Sequence, residues 1–150
     1  MTKHSVTWIV MADGSRARIV SPRRGESGFD VLSELASQEA HVPSHEIWSG
    51  RSGRTQESGN LAHHAIEARQ DPHEARKTAF IRSVAERLNR AAIEKAFDRL
   101  ILFAPPRCLG ELREALGEAA SGKIKGAAPK DLTKLPLIEL PQHLEALTER

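Results

Sequence analysis

Leu100-Ile101-Leu102-Phe103-Ala104-Pro105-Pro106 decides the fold. Five apolar residues in a row, without polar alternation, fit a strand covered on both faces, as at the centre of a parallel sheet. The two prolines stop it, because neither can donate to a ladder. Beyond them the period changes. Leu109, Leu112, Ala115 and Leu116 recur at helical spacing and predict a helix over about Arg107 to Leu116. Gly117 to Gly122 breaks it, and Ile124 to Pro129 reads as another short strand. The tail from Asp131 carries Leu132, Leu135, Leu140, Leu144 and Leu147, which predict a short helical turn and then a helix after Pro141. This strand–helix–strand rhythm brings strands together in parallel.

Working back from Leu100, Asp71-Pro72-His73-Glu74 is a helix start. Asp71 can cap the first N–H groups, Pro72 suits the first helical position, and Glu74 can reach back to complete a capping box. The helix runs to about Lys95 on an apolar stripe of Ile81, Val84, Ala85, Leu88 and Ala92. Its cations, Arg76, Lys77, Arg82, Arg87, Arg90 and Lys95, stand against Asp71, Glu74, Glu86 and Glu94. Glu86 and Arg90 have i, i+4 spacing, so this reads as a solvated, charge-paired face.

Three strands open the chain. Val6 to Met11 is an apolar run of β-formers, Arg16 to Ser21 alternates, and Phe29 to Leu35 can form a third strand. Asp13-Gly14 reads as a hairpin turn because both residues tolerate positive φ. Pro22 to Gly28 makes the second turn. The fold class is therefore α/β: a mixed sheet with an N-terminal antiparallel meander followed by α-β-α-β-α. Residues 1–150 read as a single domain with a long polar loop over about 36–70.

Bulk composition agrees with this. The chain has 150 residues, 39% hydrophobic and 28% charged, enough to bury a core and too apolar for a disordered chain. With two Trp, four Phe and no Tyr, the core is aliphatic. A formal charge of +2 excludes a polybasic nucleic-acid coat but allows a local patch. A lone Cys108 excludes an intrachain disulfide and suits a reducing compartment. No run approaches the ~20 apolar residues of a membrane span, and the first residues carry no secretory signal. The expectation is a cytoplasmic protein without membrane insertion.

The stretch between Leu35 and Asp71 has no sustained period, apart from a possible helical turn around Ala62, Ala65 and Ile66. Such long stretches are rare in compact domains unless functional or disordered. Arg51 and Arg54 stand among Ser49, Gly50, Ser52 and Gly53. Arginine pairs bidentately with phosphate, and glycine and serine let backbone N–H groups join in. Two readings stay open: an RNA-backbone contact, or a solvated surface loop. Trp48 either stacks on a base or anchors the loop by burying its ring, the second being favoured. Trp8 belongs to the core. His41, His45, His63, His64 and His73 cluster around the loop, but no cysteine or aspartate completes a zinc pattern, and no metal or cofactor is expected. Arg107, after the prolines, sits where α/β sheets bind ligands and could hold an anion with the helix N-terminus, or merely begin the helix. Cys108 has no triad pattern, although His73 could approach it in space. There is no Gly-x-Gly-x-x-Gly and no P-loop.

Several of these residues carry a family resemblance. Trp8-Ile9-Val10-Met11-Ala12-Asp13-Gly14-Ser15-Arg16-Ala17-Arg18-Ile19 resembles the opening of the bacterial host attachment proteins. Gly53-Arg54, Asp71-Pro72, the run from Ala104 to Arg113 and Lys130-Asp131-Leu132-Thr133 resemble the same family. That family is similar to the middle domain of archaeal and eukaryotic peptide-chain release factors, whose loop carries Gly-Gly-Gln and promotes peptidyl-tRNA hydrolysis. The resemblance implies that Ser52-Gly53-Arg54-Thr55-Gln56 is the counterpart of that loop, with Gln56 near the catalytic position. Arg54-Thr55 replace the two glycines that let the backbone approach the ester. The reading therefore leans to a binding domain, with Arg51, Gly53, Arg54, Gln56 and Arg107 meeting ribosomal or transfer RNA. Two alternatives stay open. One is a protein-interaction or regulatory factor, with a protein partner or a second copy of itself, that affects host attachment indirectly. The other is a peptidyl-tRNA ester hydrolase using Gln56.

Overall fold

The computed structural model describes residues 5–37 and 71–148. The loop candidates Trp48, Arg51, Gly53, Arg54 and Gln56, the histidines 41, 45, 63 and 64, and the helical turn near Ala62 lie outside the described residues.

Five strands form one mixed sheet: β1 (Thr7–Ala12), β2 (Arg16–Pro22), β3 (Phe29–Ala36), β4 (Arg99–Phe103) and β5 (Ile124–Ala128), in the order β3-β2-β1-β4-β5. β1–β2 and β2–β3 pair antiparallel, and β1–β4 and β4–β5 pair parallel. The meander and the parallel half therefore share β1. This explains the two long apolar runs. Ile9, Val10, Met11, Leu100, Leu102 and Phe103 are all fully buried, because β1 and β4 are covered on both faces.

One face is covered by α1 (Pro72–Ile93), α2 (Pro106–Ala115) and the short α3 (Glu118–Ser121). Phe80, Ile81, Val84, Leu88 and Leu112 pack there on Val10, Ile19, Leu100 and Leu102. Trp8 is half-buried at its border, with its ring 5.0 Å from that of Phe97. The other face is covered by the C-terminal segment, a 3-10 turn (Leu137–Glu139) running into α4 (Leu140–Thr148). Leu132, Leu140, Leu144 and Leu147 meet Ile9, Met11, Val20 and Phe103. Among the described residues no helix is long and apolar enough to cross a membrane.

Local details differ from the sequence reading at several places. Helix α3 occupies the break expected between Gly117 and Gly122. Asn89 on α1 makes the corner possible: its side chain donates to the Ala115 carbonyl (3.2 Å) and accepts from Gly117 N–H (2.7 Å). The capping box is half made. Asp71 accepts from the His73 N–H (3.0 Å), but Glu74 turns outward to Arg107 and Lys77 instead of back to the cap. The charge-paired face is paired only in part, as between Lys77 and Glu74 (3.5 Å). Among the described residues Glu86 and Arg90 make no ion pair despite their spacing, and Arg87 donates to the Ser33 hydroxyl (2.6 Å).

Candidate functional site

The carboxyl ends of β1, β4 and β5 lie side by side because the three strands are parallel. In open α/β sheets that edge collects ligand-binding residues. Here it forms a crevice lined by Asp13, Gly14 and Ser15 after β1, Pro105, Arg107 and Cys108 after β4, Asp131 after β5, and Glu74 and Lys77 from the start of α1.

Asp13 organises the first wall. Its Oδ1 accepts from the Ser15 N–H (2.8 Å), the Arg16 N–H (2.9 Å) and the Ser15 hydroxyl (3.3 Å). Its own N–H reaches the Arg16 carbonyl (2.9 Å). This closes the β1–β2 hairpin as an Asx turn. The hairpin is where the sequence places it, but for a different reason. Neither Asp13 nor Gly14 has positive φ; the glycines that do are Gly25 and Gly28, in the second turn. Gly14 is needed for space. A Cβ there would lie 2.5 Å from Lys77 Cγ and 2.9 Å from Lys77 Cβ, atoms near the root of that side chain, on α1. The lysine stem lies directly across the turn.

The C-terminal segment closes the second wall. The buried Thr133 donates its hydroxyl to Asp131 Oδ1 (2.7 Å), and Thr133 Oγ1 also lies 3.3 Å from Asp13 Oδ2. Arg18, from β2, donates to the Leu132 (2.9 Å) and Leu135 (2.7 Å) carbonyls, while its buried Nε has no partner among the described residues. Sequence reasoning assigned no role to Asp131, Thr133 or Arg18. Their signal was present only as membership of recurring motifs, because the contacts span more than a hundred residues.

The cations of the crevice are held by carboxylates. Arg107 lies 3.0 Å from Glu74 and 3.4 Å from Glu111, and Lys77 lies 3.5 Å from Glu74. Glu111 also accepts from the Thr78 hydroxyl (3.1 Å). Arg107 stands at the start of α2 as expected, and its side chain is 66% exposed. An anion arriving there must compete with two carboxylates already in place. Burial, and then the negative charge of Glu111 and Asp13, push the Cys108 thiol above its ordinary value. That keeps it protonated at neutral pH and unreactive as a nucleophile. His73 does not line the crevice; its Nδ1 is 3.2 Å from Arg76. Among the described residues no group of His, Cys, Asp or Glu could hold a metal ion.

The crevice is also where the segment 38–70 is flanked. The Ser37 N–H donates to the Ser15 carbonyl (2.8 Å), and the second turn of α1 packs on Gly14 through Lys77. Both flanks of that segment thus meet the Asp13–Ser15 turn.

This architecture is an α/β domain built on one mixed five-stranded sheet. The crystal structure of an archaeal translation termination factor is similar to it at a TM-score of 0.53 and 18% identity, over 96% of this chain and 35% of that one. The chain spans about a third of that protein's length, and the likeness is one of fold. The chain belongs to the family described as protein required for attachment to host cells, whose model matches residues 8–144. No curated protein matches it.

Proposed function

We propose that this protein is a cytoplasmic RNA-contacting domain, spanning residues 1–150, that associates with ribosomal or transfer RNA without hydrolysing it. The observation that carries this reading is the termination-factor fold, shared over 96% of the chain. Arg51 and Arg54, set among glycines and serines, supply phosphate-binding chemistry. Gln56 follows them in the sequence and Trp48 precedes them, the first as an RNA contact and the second as a stacking or anchoring residue. Hydrolysis is disfavoured because Arg54-Thr55 occupy the positions where the backbone must come close to an ester. In the crevice, the protonated Cys108 and the paired Glu74 and Glu111 offer no alternative nucleophile or free base. Arg107, already held by two carboxylates, is the weakest of the proposed anion contacts.

Ribosome co-sedimentation at low salt tests the reading. The wild-type chain is expected in the ribosomal pellet, and Arg51→Ala/Arg54→Ala is expected to release it. A wild-type chain that stays in the supernatant overturns the proposal. The family description favours a second reading, a factor acting on attachment through a protein partner or a second copy of the chain. Finding the protein on the outer cell surface would favour that reading and remove the cytoplasmic one. Loss of peptidyl-tRNA cleavage in Gln56→Ala, with cleavage present in wild type, would restore the hydrolase.

A further inference from the structure

The exposed side of α1 that faces β3 is charged differently from the crevice. A groove between them is lined by Leu35, Ala36 and Ser37 at the end of β3 and by Arg76, Phe80, Ser83 and Arg87 on α1. Among the described residues no carboxylate lines it. On β3, Ser33 and Leu35 face α1, Ser33 by its bond to Arg87 and Leu35 by its packing on the α1-side core. Alternation puts Glu34 on the other face of the sheet, where it lines a separate hollow with Arg18 and Thr133. Arg90 continues the row one turn beyond Arg87. Arg87 and Arg90 are exposed, and neither meets a carboxylate among the described residues. Asp30, on the far part of β3, is engaged by Arg23 (3.2 Å).

Positions 76, 83, 87 and 90 fall on one side of a helix. The arginines cover three to four turns, so the outer pair, Arg76 and Arg90, are separated by about 21 Å along the axis. Guanidinium groups stay charged at any physiological pH and match phosphate oxygens in geometry. Ser83 and Ser37 add neutral hydroxyls. We infer that this α1–β3 groove is a track for the sugar–phosphate backbone of RNA, contacted by Arg87 and Arg90. The inference rests on the RNA reading above and adds to it a surface formed by regular elements of the fold.

Filter binding to purified ribosomal RNA, over a salt series from low to physiological ionic strength, tests it. The comparison is between wild type, Arg87→Gln/Arg90→Gln and Arg113→Gln/Lys125→Gln. The last pair removes the same charge from α2 and β5. Losing two backbone contacts is expected to weaken binding roughly tenfold or more at low salt, and to make the log–log salt slope shallower by about 1.4. The α2/β5 pair is expected to stay within about twofold of wild type, since neither residue lines the groove and it removes charge without removing a contact. Arg90→Gln alone, which breaks no bond among the described residues, should show about half the change in slope and keeps the test valid if Arg87 matters for folding. Wild-type binding with equal losses in both double variants overturns the track and leaves the RNA reading standing. Absence of wild-type binding overturns both.

Discussion

The crevice at the carboxyl end of the sheet and the α1–β3 groove are neighbours, yet their polar groups are used in opposite ways. In the crevice Asp13, Glu74, Glu111 and Asp131 each have partners, some within the same turn and others, such as Thr133 for Asp13 and Arg107 for Glu74, from distant parts of the chain. In the groove Arg87 and Arg90 carry positive charge without a carboxylate partner among the described residues. Buried or half-buried polar groups that satisfy one another fix a fold. Exposed like charges contribute little to stability and are available to a ligand. The crevice therefore reads as the joint of the molecule and the groove as a surface that meets something else.

The largest expected effect is on the joint. Asp13→Ala removes the acceptor for two backbone N–H groups and the cross-chain approach to Thr133. It is expected to cost about 2–3 kcal/mol in urea unfolding. Arg90→Gln is expected to change stability by less than about 0.5 kcal/mol. If the two lose stability equally, the contrast between the regions is wrong. Gly14→Ala comes next. Its Cβ must displace the Lys77 stem, at a cost of about 1–2 kcal/mol, and Lys77→Ala in the same chain should restore most of it. Without that rescue, the close approach is not what requires glycine.

Smaller effects follow from the charges themselves. Glu74→Gln breaks contacts to Arg107 and Lys77 at half-exposed positions and should cost under about 1 kcal/mol. Cys108 gives a pH prediction. Its folded-state value is raised above 9.0, so its contribution to stability is fully present below pH 9 and is lost as the pH rises through the raised value. Alkylation by iodoacetamide at neutral pH should accordingly be slow in the native protein and fast in urea. Rapid native alkylation would return the thiol to the list of candidate nucleophiles.

Much of the fold is legible in the sequence because its signals are local. Leu100 to Ala104 needs no partner to read as a central strand, and Asp71-Pro72 announces α1 within two residues. The joint is not legible for the opposite reason. Asp13 and Thr133 lie 120 residues apart, and Arg18 reaches the Leu132 carbonyl over 114, so no window of sequence contains both ends of either contact. Gly14 shows a subtler failure. The Asp-Gly pair correctly marks a hairpin, but it was read through φ, whereas the constraint is a lysine stem from another element. Likewise, Glu86 and Arg90 have the spacing of an ion pair without forming one. Spacing gives opportunity, and the outward rotamers of exposed side chains decide.

Hydrogen–deuterium exchange of the full chain, with and without purified ribosomal RNA, tests the division of labour most directly. The account predicts slowed exchange in residues 38–70 and along the α1–β3 side, with β5 and α4 unchanged. Protection confined to β5 and α4, or no protection at an RNA concentration well above that of the protein, would contradict it.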